Sequence, residues 1–340
     1  MYDFALLVTN FSDAGAVSKK QDGNLIHPLS RLLGKSHSAS RAAAKHIGIT
    51  NRKIELNSSV GVLTLEITAD QQRFKDLKGE KLKRICRQIE DTCIRENCDA
   101  LVLPKNRPDT DKLREYIQRV EIADCGDYSD TAKGFLRIML YDTASRCLER
   151  MGIKMAELLI IAGSVTSERE IANIASILAR LVKFAVIYKG RVEDIDEISA
   201  ETGMPAMLSS SLENAAKEAD LVVELGGIGD AARTLKFKKS AVIFNFSQDI
   251  LNDMNTECTV INGIKAGLPV RFYSSEAKGF FKHFDVQAIA RLSLQYCANS
   301  IRIPSNFSNI ESVSQFNRIF KSEGFEIAGY YGRHGILKDV

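Results

Sequence analysis

The residues with the clearest chemical potential follow a short apolar run at residues 158–162. That run ends at Gly163, and the hydroxyl residues Ser164, Thr166 and Ser167 come directly after it. Where a strand turns into a helix, the first helical N–H groups point outwards and bind phosphate, and glycine permits the tight turn. The segment therefore predicts a phosphate-binding turn with Gly163, Ser164, Thr166 and Ser167 as cofactor-binding residues.

The same turn also has the features of a helix start that binds nothing. It contains a single glycine, so the GxGxxG pattern of dinucleotide-binding turns is absent. Ser167 and Glu170 have the spacing of a capping box, in which side chains satisfy the helix N–H groups. Glu168 adds negative charge where a phosphate would bring its own. Phosphate binding and a self-capped helix are thus two open hypotheses.

Lys189 and Arg191 follow the second apolar run, where no carboxylate is present. NAD-selective domains place an acidic residue here for the ribose 2′-hydroxyl, whereas cations suit the 2′-phosphate of NADP. The pair therefore predicts NADP as the cofactor. The alternatives are that the protein binds NAD, or that it binds no cofactor and the two cations are merely solvated. A later run ends in Gly226 and Gly227, which predict a backbone that approaches the cofactor closely.

The elements that must position these residues form a regular alternation between residues 155 and 262. Apolar runs of strand length alternate with segments whose apolar residues have helical spacing. Strands that alternate with helices form βαβ units, whose right-handed crossovers give a parallel, doubly wound sheet. Strands are predicted over 158–162, 184–188, 206–208, 221–225, 241–246 and 259–261, and helices over 168–182, 192–202 and 212–218.

The predicted fold class is α/β with two domains, an N-terminal α/β domain and a doubly wound, parallel-sheet Rossmann domain. Residues 1–135 form the N-terminal substrate domain, and residues 136–270 form the nucleotide-binding domain. Residues 271–340 are predicted as a C-terminal helix and tail that return to the N-terminal domain. Further predicted strands are 4–9, 60–67 and 100–103, and further predicted helices are 79–97, 131–151 (the connector between the domains) and 286–298.

The composition excludes several classes of protein. The chain has 340 residues with 46 Lys and Arg against 43 Asp and Glu, and a net charge of +3 argues against a nucleic-acid or membrane-surface binder. No uninterrupted apolar run reaches membrane-spanning length, and no signal peptide is recognisable. Seven scattered cysteines without metal-site spacing are typical of reduced thiols. We expect a cytoplasmic protein with a small-molecule substrate and no metal, and a homodimer is one open assembly.

Three short segments carry a family resemblance. SHSAS at 36–40 precedes a helical pattern, ALVLPK at 100–105 ends a predicted strand, and YSDTAKGF at 128–135 enters the connecting helix. Together they resemble the shikimate dehydrogenase-like group, whose Rossmann proteins are similar to the amino-acid dehydrogenases and the methylene-tetrahydrofolate dehydrogenases. IHPLS at 26–30 competes with the first match, and DTAKG at 130–134 matches the CTPxG segment of the folate enzymes about as well.

The resemblance implies roles for four residues. The last two serines of the family's SHSxSP segment bind the substrate carboxylate, and they correspond to Ser38 and Ser40. The catalytic lysine of the family's VTxPxK segment corresponds to Lys105, although Pro104 directly precedes it here. The aspartate of the family's YNTDGxGF segment corresponds to Asp130, displaced by one position.

These roles imply an NAD(P)-dependent oxidoreductase that acts on a small hydroxy or amino acid between two domains. A lysine desolvated in such a cleft exchanges the hydroxyl proton of the substrate, and a nearby aspartate orients it. The glycine-poor turn favours the alternative, a non-catalytic Rossmann-fold binding or regulatory protein with a degenerate cofactor loop.

Overall fold

The computed structural model divides the chain into two compact units. Unit 1 comprises Met1–Gly126 and Leu268–Ile301, and unit 2 comprises Asp127–Gly267 and Arg302–Val340. The residues that the structure describes are 4–12, 48–55, 60–70, 74, 76–104, 108–123, 128–229, 231, 234–247, 257–273, 281, 284–299 and 301–337.

Strands and helices alternate along both units. The strands are β1 (Phe4–Ser12), β2 (Gly48–Glu55), β3 (Gly61–Asp70), β4 (Ala100–Val102), β5 (Glu121–Ile122), β6 (Ala156–Ile161), β7 (Val182–Tyr188), β8 (Ala206–Ser209), β9 (Leu221–Glu224), β10 (Val242–Asn245), β11 (Thr259–Ile261), β12 (Gly263–Gly267), β13 (Glu326–Gly332) and β14 (Gly335–Leu337). The α-helices are α1 (Gly79–Arg95), α2 (Pro108–Arg114), α3 (Tyr128–Ile138), α4 (Leu140–Met151), α5 (Glu168–Leu178), α6 (Val192–Thr202), α7 (Leu212–Glu218), α8 (Val286–Cys297) and α9 (Ile310–Ser322).

Unit 1 contains a five-stranded sheet in the order β2-β3-β1-β4-β5. Strand β2 pairs antiparallel with β3, and the other neighbours are parallel. Helix α1 buries Leu82, Ile85, Cys86, Ile89 and Cys93, which recur at helical spacing and join the core cluster of this unit. Burial raises the pKa of the Cys86 and Cys93 thiols to about 11 and 12, as suits packing residues.

Unit 2 contains a six-stranded sheet in which every pair of neighbours is parallel. The strand order is β11-β10-β9-β6-β7-β8. Counted from β6, this is the doubly wound Rossmann order read from one edge, and the order reverses between β6 and β9. The predicted α/β class with a Rossmann-type sheet is therefore confirmed. The run Leu158–Ile161 is fully buried, because a parallel strand of this sheet is covered on both faces.

The predicted connecting helix 131–151 is wrong in one respect, since two helices cover this segment. Helix α3 ends at Ile138 and α4 begins at Leu140, with Met139 between them at φ −108°. The side-chain amide of Asn317 donates to the Ile138 carbonyl at 2.8 Å. A side chain that bonds a helical carbonyl interrupts the helical hydrogen-bond ladder, which accounts for the break.

The segment after residue 301 belongs to unit 2, whereas the sequence placed the whole of 271–340 with the N-terminal domain. Helix α8 lies in unit 1, but β13 pairs antiparallel with β12 and β14. In the same unit the ring of Phe320 in α9 packs against Phe135 in α3 at a centroid distance of 6.0 Å. The strand ladder and this apolar contact hold the tail in unit 2.

Gly263 offers a test of how tightly unit 2 is packed. A Cβ at Gly263 would lie 2.5 Å from the Ala132 Cβ and 2.8 Å from its backbone carbon, which belongs to α3. We expect Gly263→Ala to lower the free energy of unfolding by roughly 1–3 kcal/mol, because a helix backbone must shift. Chemical denaturation followed by circular dichroism measures it.

Gly267 at the other end of β12 provides the matched control. Its Cβ would meet its nearest neighbour at 3.6 Å, an ordinary contact distance. Gly267→Ala should leave the stability nearly unchanged, and equal losses in the two variants would contradict this account of the packing.

Candidate functional site

The candidate site lies at the carboxyl edge of the unit 2 sheet, where the strand order reverses. Ligands of doubly wound sheets bind in the crevice outside the strand ends at such a point. The turns after β6 and β9 meet there, and their backbones pack against each other. A Cβ at Gly163 would lie 2.5 Å from the Leu225 carbonyl oxygen, and a Cβ at Gly227 would overlap the Ala162 carbonyl oxygen. Contact between the turns therefore requires glycine at 163 and 227, and a role for Gly226 and Gly227 in cofactor binding stays a prediction.

The turn after β6 is closed by its own hydrogen bonds. The Gly163 N–H donates to the Thr166 hydroxyl at 2.9 Å, and the Thr166 N–H donates to the Gly163 carbonyl at 3.3 Å. The side chain of Ser164 is exposed. The Thr166 hydroxyl thus already accepts a bond from the turn, whereas the side chain of Ser164 faces solvent.

Half of the predicted capping box is present at the start of α5. The Ser167 hydroxyl accepts the Glu170 N–H at 3.3 Å, as the self-capped reading expects. The Glu170 carboxylate instead accepts the Phe307 N–H at 3.2 Å. The N–H groups of Glu168 and Arg169, in the first turn, have no acceptor within the helix itself. The amino end of α5 therefore keeps donors and part of its positive potential.

A cavity of about 260 Å³ opens beside this turn, between the ends of β6 and β7. It brings together five of the residues that the sequence proposed for cofactor binding, and it adds one buried carboxylate. The five are Gly163, Ser164, Thr166, Lys189 and Arg191, and the carboxylate is that of Asp194.

The side chains of Lys189 and Arg191 are both exposed, and each residue has a defined backbone conformation or hydrogen bond. Lys189 has φ +59°, a left-handed conformation that costs a side-chain-bearing residue roughly 1 kcal/mol, and its ammonium donates to the Gly227 carbonyl at 3.0 Å. Arg191 precedes α6, and its N–H donates to the Asp194 carboxylate at 2.5 Å. Two cations and one carboxylate among the described lining residues leave the cavity with positive charge.

Glu224 is a chemically unusual residue that no sequence motif indicates. It ends β9 and is 1% exposed, and its Oε1 accepts the N–H groups of Gly226 at 2.7 Å and Ile228 at 3.1 Å. Its Oε2 is buried and has no hydrogen-bond partner among the residues that the structure describes. A single acid in the otherwise apolar run LVVEL was the available signal.

Burial raises the pKa of the Glu224 carboxyl to about 7, against the lowering effect of the N–H groups of the turn and of Lys189. A carboxyl that titrates near neutral pH can accept or release a proton under working conditions, which is typical of functional sites. The sheet edge that holds the cavity therefore also carries a buried carboxyl with a raised pKa.

Asp130, the one proposed catalytic residue that the structure describes, is not among the residues that line the cavity. Asp130 lies in the first turn of α3 with an exposed side chain. Ser38, Ser40 and Lys105 lie outside the described residues, so their proposed roles stay predictions. Within the described part of the chain, no group of three or more His, Cys, Asp and Glu residues is placed to hold a metal ion, and no helix is long and apolar enough to cross a membrane.

The pKa of Glu224 predicts a pH-dependent stability. The carboxyl binds its proton more tightly in the folded state, where the pKa is about 7, than at the reference value of 4.5. Its stabilising contribution is complete below about pH 4.5 and is lost as the pH rises through 7, a change on the order of 3 kcal/mol. Glu224→Gln stays neutral, so its free energy of unfolding relative to the native chain should rise between pH 5 and pH 8.

Urea titrations at several pH values across that range measure this difference. The exposed Glu213, which pairs with Lys217 four residues on, provides the control, and Glu213→Gln should show a flat difference. If Glu224→Gln and the native chain keep parallel pH profiles, the carboxyl is ionised in the folded protein and the assignment is wrong.

Comparisons with known proteins do not assign the chain to a family. No family model matches it, and no curated protein matches it. Among solved structures, L-tryptophan dehydrogenase from Nostoc punctiforme is 12% identical with a TM-score of 0.29, over 94% of this chain and 89% of that one. A putative aspartate carbamoyltransferase from Leishmania major Friedlin is 13% identical with a TM-score of 0.28, over 89% and 85%. At such scores the likeness carries no argument, and the Rossmann assignment depends on the strand order.

Proposed function

We propose that unit 2 binds NADP and that the chain is an NADP-dependent oxidoreductase acting on a small hydroxy or amino acid. The observation that carries the proposal is the cavity between the ends of β6 and β7, which places Lys189 and Arg191 beside the first turn of α5. A dinucleotide-binding domain places the adenosine ribose next to the end of its second strand, which is β7 here.

The charges at the cavity suit a ribose that carries a phosphate. A lysine ammonium supplies a compact positive charge, and an arginine guanidinium supplies a planar set of donors that matches phosphate oxygens. The exposed hydroxyl of Ser164 can donate to the same anion. Asp194 adds the only carboxylate among the described lining residues, and because it already accepts the Arg191 N–H, it orders the turn that presents the guanidinium.

The reaction itself is proposed from the family resemblance. NADP, when bound, supplies or accepts a hydride, and the protein must then exchange the proton of the substrate hydroxyl. Lys105 and Asp130 are the proposed catalytic residues, and Ser38 and Ser40 the proposed ligands of the substrate carboxylate. The buried Glu224 adds a group whose pKa is suited to proton exchange.

A second function, a non-catalytic Rossmann-fold binding or regulatory protein, is favoured by one feature of the turn after β6. Thr166 accepts the Gly163 N–H that an open phosphate-binding turn would leave to a ligand. Cofactor titrations distinguish the two functions. An NADP-dependent oxidoreductase must bind NADPH, whereas a non-catalytic protein need bind neither NADPH nor NADH.

Replacing Lys189 and Arg191 together by alanine tests the proposed site. We expect the dissociation constant of NADPH to rise on the order of 100-fold, since hydrogen bonds between charged groups are lost, while that of NADH changes little. Isothermal titration calorimetry measures both. Lys217→Ala, which removes an exposed lysine of the same unit, should leave both constants unchanged.

Two outcomes would count against the proposal. Absence of NADPH binding at millimolar concentration removes the oxidoreductase. An equal loss of NADPH and NADH affinity in the double variant means that the two cations do not contact a 2′-phosphate.

A further inference from the structure

Residues 302–309 of unit 2, called the strap below, are fastened to α5 through the backbone of a single residue. The Phe307 N–H donates to the Glu170 carboxylate at 3.2 Å, and the Phe307 carbonyl accepts from the Asn173 amide at 2.6 Å. The hydroxyls of Ser167 and Ser308 lie 3.4 Å apart. Both polar groups of one backbone unit are thus held by side chains from the first two turns of α5.

The side chain of Phe307 anchors the strap to the carboxyl end of β10. Its fully buried ring packs edge to face on Phe246 at 4.9 Å between centroids, with an interplanar angle of 87°. Phe246 directly follows β10 in the sequence, and its N–H donates to the Glu224 carbonyl at 2.8 Å. The strap therefore reaches from the amino end of α5 to the end of β10.

A buried arginine completes the anchor. The Arg137 guanidinium lies 5.4 Å from the ring centroids of both Phe246 and Phe307, and it donates to the Pro304 carbonyl at 2.8 Å. Burial lowers the pKa of Arg137 to about 10, so the side chain remains charged at neutral pH. A charge held between two rings and one carbonyl, with 6% of the residue exposed, fixes the strap in one position.

The strap and the cavity lie on opposite sides of the point where the strand order reverses. The cavity lies at the ends of β6 and β7, whereas Phe246 and Phe307 lie at the end of β10, on the other side of the reversal between β6 and β9. A dinucleotide spans both halves of such a sheet and places one nucleotide on each. The half at β6 and β7 holds the cavity, and in the half at β10 the buried Phe307 ring packs on Phe246.

We propose that the strap fills the second nucleotide position, so that the closed form of unit 2 takes a phosphorylated mononucleotide and admits a full dinucleotide only when the strap is released. The inference depends on the proposed cofactor site and adds its regulation. The bound class in the closed form is an adenosine phosphate whose phosphate lies at Lys189 and Arg191. Release separates Phe307 from Glu170, Asn173, Phe246 and Arg137 together, because all four hold the same residue.

The test compares adenosine 2′,5′-bisphosphate with NADPH by calorimetry on the full chain. If the strap is open about a tenth of the time, the apparent affinity for NADPH falls about tenfold below its intrinsic value. Phe307→Ala should therefore tighten NADPH about tenfold and leave the bisphosphate unchanged. Phe325→Ala removes another buried ring of the same unit, which stacks on Phe320, and should change neither affinity.

Hydrogen exchange on the native chain gives a second readout that needs no variant to fold. NADPH that binds both positions must release the Phe307 N–H from Glu170, so exchange in the peptide that covers 302–309 should accelerate. The bisphosphate should leave that peptide protected.

The outcomes distinguish the inference from the proposed function. If NADPH binds much more tightly than the bisphosphate while the strap peptide stays protected, the strap does not occupy the second position and the inference is wrong, although the cofactor site stands. If neither ligand binds, both fall. Faster exchange with NADPH alone, or a gain in NADPH affinity confined to Phe307→Ala, supports the strap.

Discussion

The N–H groups at the amino end of α5 attract two kinds of acceptor, the side chains of the protein and a ligand phosphate. Ser167 takes one of these groups by accepting from Glu170, and Thr166 takes the N–H of Gly163 in the preceding turn. In a full capping box the Glu170 carboxylate would accept the backbone N–H of Ser167. Here it accepts the N–H of Phe307 instead. That negative charge is committed to the tail, and we propose that the side of the helix end beside the cavity receives the phosphate.

The sheet edge around that helix end is held together by backbone groups rather than by bulky side chains. The turns after β6 and β9 touch at Gly163 and Gly227, which leaves no room for a Cβ at either residue. Glu224 accepts two N–H groups of the second turn, and Lys189 donates to its Gly227 carbonyl. A phosphate that draws the Lys189 ammonium therefore competes with Gly227, so the cavity and the second turn are coupled through one side chain.

Much of unit 2 could be predicted from the sequence because its signals are local. The helices over 192–202 and 212–218 and the strand over 259–261 begin and end as the apolar periodicity indicates. The location of Lys189 and Arg191 could also be predicted, since residues that follow a strand of a parallel sheet lie at its carboxyl edge, whereas their role in cofactor binding stays a prediction. The unusual carboxyl of Glu224 was visible as an acid within an apolar run but has no motif.

The features that could not be predicted from the sequence depend on contacts between residues that are far apart in the chain. Phe307 lies 137 residues from Glu170, and no local pattern indicates that the carboxylate prefers it to the helix end. The break between α3 and α4 follows from Asn317, 179 residues beyond Ile138. The tail was misplaced for the same reason, because the pairing of β13 with β12 unites segments that are far apart in the chain.

The central claim is that a phosphate is held by Lys189 and Arg191 beside the amino end of α5. Phosphorus-31 NMR of NADP, titrated with pH in the presence of the full chain, tests it most directly, since the 2′-phosphate and the pyrophosphate give separate signals. The account predicts that binding lowers the pKa of the 2′-phosphate from its usual value of about 6, because two cations favour the dianion. A 2′-phosphate whose pKa stays unchanged in the bound cofactor would contradict it.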